Sequence, residues 1–95
     1  MKTLLFRLDG TEQALTGSFE FNKATFWGIS GFVNSLPINN TGGAVCVGTI
    51  AGQLPAVIKT GDFINWTMPE KKVEIIDNMF TKGISGDGLY IVSYL

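Results

Sequence analysis

The chain has 95 residues, of which 45% are apolar and only 16% charged, with 7 basic and 8 acidic side chains and a net charge of −1. That length is one domain, so 1–95 is read as a single β-rich unit, and the balanced charge excludes the basic patch that nucleic acid requires. One Cys and no His exclude His-dependent catalytic triads, His-bearing zinc sites and an internal disulfide.

Most of the chain reads as short extended segments punctuated by Gly, Pro, Asn and Asp, the pattern of an antiparallel β domain. Thr3 to Leu8 is the first strand candidate, and Asp9-Gly10 after it is a hairpin-turn dipeptide. In Ser18-Phe19-Glu20-Phe21 the alternation places Phe19 and Phe21 on one face. Asn22-Lys23 turns, and Thr25 to Ile29 extends with Phe26 and Trp27 on opposite faces. Gly31 to Gly43 concentrates turn formers and reads as a long loop, either a plain connection between sheets or a functional edge.

Ala44 to Ile50 is a continuous apolar run, expected as a strand buried on both faces, with Cys46 a small core hydrophobe inside it. Gly52 turns, and Pro55 marks a strand start or an edge. Ala56 to Lys59 and Phe63 to Met68 follow as strands around the turn Thr60-Gly61-Asp62. Ile64, Trp66 and Met68 share one face of the second, and Phe63, Asn65 and Thr67 share the other.

Residues 68–82 support two readings. Thr67-Met68-Pro69-Glu70 fits a capping box, and Val73, Ile76 and Phe80 recur at helical spacing up to Gly83, which predicts one short helix. Alternatively Pro69 to Lys72 is a hairpin loop and Val73-Glu74-Ile75 opens a strand. Ser85 to Gly88 turns into a closing strand, Leu89 to Leu95. A chain ending in a strand is expected to have its C-terminus built into a sheet, so that deleting Val92 to Leu95 is damaging. Gly28-Ile29-Ser30-Gly31 recurs as Gly83-Ile84-Ser85-Gly86, but the flanks diverge at once and no duplication is inferred. The fold class is therefore mainly β, an antiparallel β-sandwich or barrel-like single domain.

Little in the chain points to catalysis. Nothing pairs any two of the carboxylates for acid–base work, and Asp9, Asp62 and Asp87 each adjoin a Gly that explains them as turn residues. No base stands ready to activate Cys46, the Gly-rich segments lack a phosphate-loop Lys, and one Asp near Gly88 is too few ligands for calcium. No catalytic residue, metal site or cofactor is assigned, and an enzyme is not expected. No run of about 18 apolar residues predicts membrane insertion, and the run ending at Arg7 is too short for a secretion signal. Asn39-Asn40-Thr41 and Asn65-Trp66-Thr67 match glycosylation sequons and, without such a signal, are read as chance.

The aromatics carry the binding expectation. Trp27, Phe63, Trp66, Tyr90 and Tyr94 are candidates for a subunit interface or for stacking on a ligand, because Trp and Tyr bring large area at low entropy cost. Large aromatics on both faces of Thr25–Ile29 and Phe63–Met68 suggest strands that need cover on both sides. An average protein carries about 25% charged residues. The deficit here suggests that the cover is a second copy.

The run Gly28 to Pro37, then Gly42-Gly43-Ala44-Val45-Cys46-Val47, then Ile58 to Trp66, resembles the receptor-binding tip modules of bacteriophage tail fibres. Such modules carry an aromatic-Gly segment, an Asn-x-Pro-like turn, a Gly-Gly-led apolar strand and a later aromatic strand. Here Ser35 and Leu36 separate Asn34 from Pro37, and Phe63-Ile64-Asn65-Trp66 stands where a Tyr-Arg pair is usual, so no specific binding residue carries over. The resemblance implies a non-enzymatic, trimeric structural or receptor-binding module on a virion, with a host surface glycan or protein as partner. A capsid decoration protein is the close variant. The alternatives are a small intracellular inhibitor of a host complex, of phage anti-defence type, and a stand-alone carbohydrate-binding module. The expected location is the virion or the cytoplasm of the producing cell.

Overall fold

A computed structural model describes residues 1–29, 32–33, 36–37 and 44–95. In chain order the strands are β1 (Lys2–Arg7), β2 (Gln13–Ala14), β3 (Glu20–Phe21), β4 (Lys23–Ile29), β5 (Phe32–Val33), β6 (Leu36–Pro37), β7 (Ala44–Gly48), β8 (Ala56–Lys59), β9 (Phe63–Thr67), β10 (Glu74–Ile75), β11 (Phe80–Lys82) and β12 (Gly88–Tyr94). They form two four-stranded sheets, β1-β12-β4-β9 and β2-β11-β7-β8, and two short pairs, β3 with β10 and β5 with β6. All pairings among these strands are antiparallel. The two large sheets face each other in a sandwich and do not close into a barrel.

Side chains alternate across each strand, so each sheet turns one face to the core. In the first sheet Leu4, Ile91, Phe26 and Ile64 stand opposite one another on the inner face. Val45 and Ile58 pair on the inner face of the second. Phe26, Ile91, Leu89, Val45, Val47 and Ile58 join Leu8, Leu15, Phe21, Ile76 and Met79 in one buried cluster. Each such side chain contributes about 1.5–3 kcal/mol by leaving water.

The β8–β9 connection ties the sheets together, because β8 belongs to one and β9 to the other. Its turn docks on β4: the Gly28 N–H donates to the Asp62 carbonyl (3.0 Å), and the Gly61 N–H to the Gly28 carbonyl (2.8 Å). Gly61 has φ +92°, a left-handed value that favours glycine. A Cβ on Gly28 would lie 2.9 Å from the Lys59 carbonyl oxygen, so glycine is what lets β8 cross β4 this closely.

Four expectations need correction. Asp9-Gly10 does not close a hairpin: β1 pairs with β12, and Asp9 instead accepts from the Thr11 N–H (2.9 Å) in a local turn. Pairing β1 with β12 is what puts Leu4 on the core-facing row. Residues 68–82 form no α-helix. Short 3-10 turns at Pro69–Lys71 and Ile76–Asn78 flank β10, and β11 follows. The hairpin-loop reading of Pro69 to Lys72 is the nearer one. A single 3-10 turn buries both Ile76 and Met79, three residues apart, and frees Phe80–Lys82 to pair with β2 and β7. The run Ala44–Ile50 is not buried on both faces. Val45 and Val47 are buried while Ala44 and Cys46 are half-buried, because only one face of that sheet meets the other. Within the expected loop Gly31–Gly43, Phe32–Val33 pairs with Leu36–Pro37, and the rest of it, with the Asn39 sequon, lies outside the described residues.

The closing strand is built into a sheet, as expected. β12 is an inner strand, hydrogen-bonded to β1 on one side and β4 on the other, and Ile91 and Ser93 are buried.

Candidate functional site

The register of the first sheet brings together residues that are far apart in sequence. Leu5 stands opposite Tyr90, Tyr90 opposite Trp27, and Trp27 opposite Phe63. Directly opposed residues share a face, so these four form one row across the sheet from edge to edge. The face is the outer one, because their chain neighbours Leu4, Leu89, Ile91, Phe26 and Ile64 point to the core. Leu5 is 40% and Phe63 46% exposed, and Trp27 and Tyr90 are half-buried. The Trp27 and Phe63 rings lie 4.6 Å apart between centroids, tilted by 36°.

The next row on that face is Thr3, Val92, Thr25 and Asn65. The Thr25 hydroxyl donates to Asn65 Oδ1 at 2.8 Å. Neither row contains a charged residue. On these strands charge appears on the outer face only at the margins, with Arg7 and Lys23. An uncharged, aromatic-centred patch with charge at its border has the anatomy of a protein interface.

The sequence candidates therefore divide. Trp27, Phe63 and Tyr90 come together in the row. Tyr94 lies on the same face at the far end of β12, 48% exposed and opposite Lys23. Trp66 points the other way. It packs edge-on against Phe26, with centroids 6.2 Å apart and planes at 75°, and lines a cleft at the mouth of the sandwich. Leu5 was not among the candidates, because its place in the row depends on β1 meeting β12 from the other end of the chain.

Several carboxylates serve as local structural acceptors. Glu12 takes the Gly52 N–H with both oxygens at 3.0 Å. Asp77 Oδ1 accepts from the N–H groups of Gly17 (3.3 Å) and Ser18 (2.7 Å). Glu74 Oε1 accepts from the Ile75 N–H and from Asn78 Nδ2, each at 2.9 Å. Asp87 is buried, and its Oδ2 has no hydrogen-bond partner among the described residues. Among those residues no group of three or more His, Cys, Asp or Glu is placed to hold a metal ion, and no helix is long and apolar enough to cross a membrane.

No protein-family model, curated protein or solved structure matches the chain. The functional reading rests on the face and the cleft themselves.

Proposed function

We propose that the chain is a non-enzymatic structural or attachment module that works as a homo-oligomer through the outer face of the β1-β12-β4-β9 sheet. The observation that carries this is the row Leu5, Tyr90, Trp27 and Phe63, backed by a second uncharged row. A monomer rarely aligns a Trp, a Tyr and a Phe in one uncharged row on the outer face of a sheet, and Trp and Tyr dominate the energetics of contacts between chains. The low charge of the whole chain, 16%, points the same way.

A second copy is the favoured occupant because the patch is neutral. Identical surfaces carrying net charge would repel, whereas neutral aromatic rows can be brought together around a shared symmetry axis. The resemblance to phage fibre tips suggests a trimer on a virion, with a capsid decoration role as the close variant.

Two measurements test the setting. Mass spectrometry of purified particles from the producing cell should find the chain if it is a virion component. A pull-down that recovers a host complex, with no chain in particles, would instead favour the intracellular inhibitor.

A further inference from the structure

A second surface lies where the two sheets part. The loop from β7 to β8 folds over the inner face of β9 and leaves a cleft of about 310 Å³ lined by Thr49, Ile50, Gln53, Leu54, Pro55 and Trp66. The loop is held in place by its own bonds. The Gln53 N–H donates to the Ile50 carbonyl at 2.9 Å, and Glu12 grips the Gly52 N–H. Gly48 lets the loop lie directly on β7, since a Cβ there would come within 2.4 Å of the Gln53 carbonyl oxygen. Trp66 is braced by its T-shaped contact with Phe26.

The lining fixes the chemistry of an occupant. Among the described residues it holds no charged side chain, which disfavours phosphate, carboxylate and ammonium groups. Trp66 lines it together with the apolar Ile50, Leu54 and Pro55, and the exposed Gln53 amide and the Thr49 hydroxyl can each donate and accept. A flat apolar surface beside neutral hydrogen-bonding groups complements a neutral pyranose ring, whose C–H face is apolar and whose edge is hydroxylated. Polyproline segments are read by grooves lined with several aromatics, and among the described residues this cleft has Trp66 alone.

We propose that this cleft binds a neutral sugar ring, stacked on Trp66 and hydrogen-bonded by Gln53 and Thr49. The site rests on the attachment half of the role proposed above and uses no residue of the assembly face. A single ring of about twelve heavy atoms, at the ligand efficiency of drug-sized molecules, gives a dissociation constant on the order of millimolar. Useful affinity would then come from several copies acting together.

The test is a titration of the ¹⁵N-labelled full chain with methyl glucoside, methyl galactoside, methyl mannoside and N-acetylglucosamine to tens of millimolar. N-acetylneuraminic acid and a proline-rich peptide serve as comparisons. The expected result is saturable shifts of the Trp66 indole N–H and the amides of residues 49–54 with at least one neutral sugar. Gln53→Ala, an exposed change, should weaken that binding about threefold to tenfold, the worth of one hydrogen bond. Ile84→Ser, at an exposed residue outside both surfaces, should leave it unchanged. Trp66→Leu should abolish it, with the amide spectrum of the core showing that the fold persists. No shift at these positions with any neutral sugar overturns the proposal, as does a response to the peptide or the anionic sugar alone. The readout does not depend on oligomeric state, so a monomer that binds sugar removes the assembly role and keeps this site.

Discussion

Trp27 lies against Phe63 on the outer face of the first sheet, directly opposite it in the β4–β9 ladder. Its neighbour Phe26 faces inward and is fully buried, so adjacent aromatics on β4 serve different surfaces. Truncating each should separate folding from assembly. Phe26→Ala removes a core side chain and should cost about 3–5 kcal/mol. Trp27→Ala loses the ring pair and part of its cover and should cost only about 1–2 kcal/mol. Chemical denaturation of the two variants at a concentration where both are monomeric checks this ordering.

Gly28→Ala should destabilise the fold by about 1–3 kcal/mol, because the added methyl meets the Lys59 carbonyl and the Ile58 Cγ2. Backbone cannot swing aside as a flexible side chain can. Gly52→Ala meets nothing within 4 Å and is penalised only by its φ of +79°. The smaller loss is therefore expected for Gly52→Ala, and the two melting curves decide it.

How much of this could be read in advance varied with the range of the interaction. The stretches Thr25–Ile29 of β4 and Leu89–Tyr94 of β12 were legible because period and composition agreed, whereas Lys23, read as a turn, is the first residue of β4. The segment 68–82 was not, because Ile76 and Met79 satisfy both a helix and a 3-10 turn, and the choice is made by β11 pairing with β7 and β2. Cys46 looked like core because its neighbours are apolar, yet its alternate position puts it on the outer face of its sheet. The aromatic row was half legible. Its residue types stood out, but their alignment needs strand order, and no local signal shows that β1 and β4 both flank β12. The Trp66 cleft was hidden for the same reason, since Thr49 and Ile50 read as the end of a strand and Gly52 as a plain turn until β9 is placed beneath them.

Asp77 joins the segment at Gly17–Ser18 to the turn after β10, and Ser18 there has a positive φ of 52°. Asp77→Ala leaves two N–H groups without this acceptor and should cost about 1 kcal/mol. Asp77→Asn keeps an acceptor oxygen and should cost less. Equal losses in thermal melts would show that the two bonds contribute little.

Asp9 sets a pH prediction. The hydroxyl and then the backbone N–H of Thr11 donate to its carboxylate, which holds its pKa below the ordinary value. The folded value is thus lower than the unfolded one. Its stabilisation is present above the unfolded value, about 3.9, and is lost as pH falls through the folded value. Asp9 is exposed, so the effect is small. Thr11→Val removes the larger cause, and the Asp9 carboxyl resonance should then titrate closer to the ordinary value.

The central claim is that the outer face of the first sheet joins copies of the chain. Size-exclusion chromatography with light scattering, on the wild type and on Trp27→Ser with Phe63→Ser, tests it most directly. The account predicts a wild-type mass that is a multiple of 10.3 kDa at micromolar concentration, and a folded monomer for the double variant. A wild type that stays a monomer at tens of micromolar, or a double variant with the same oligomeric mass, would contradict it.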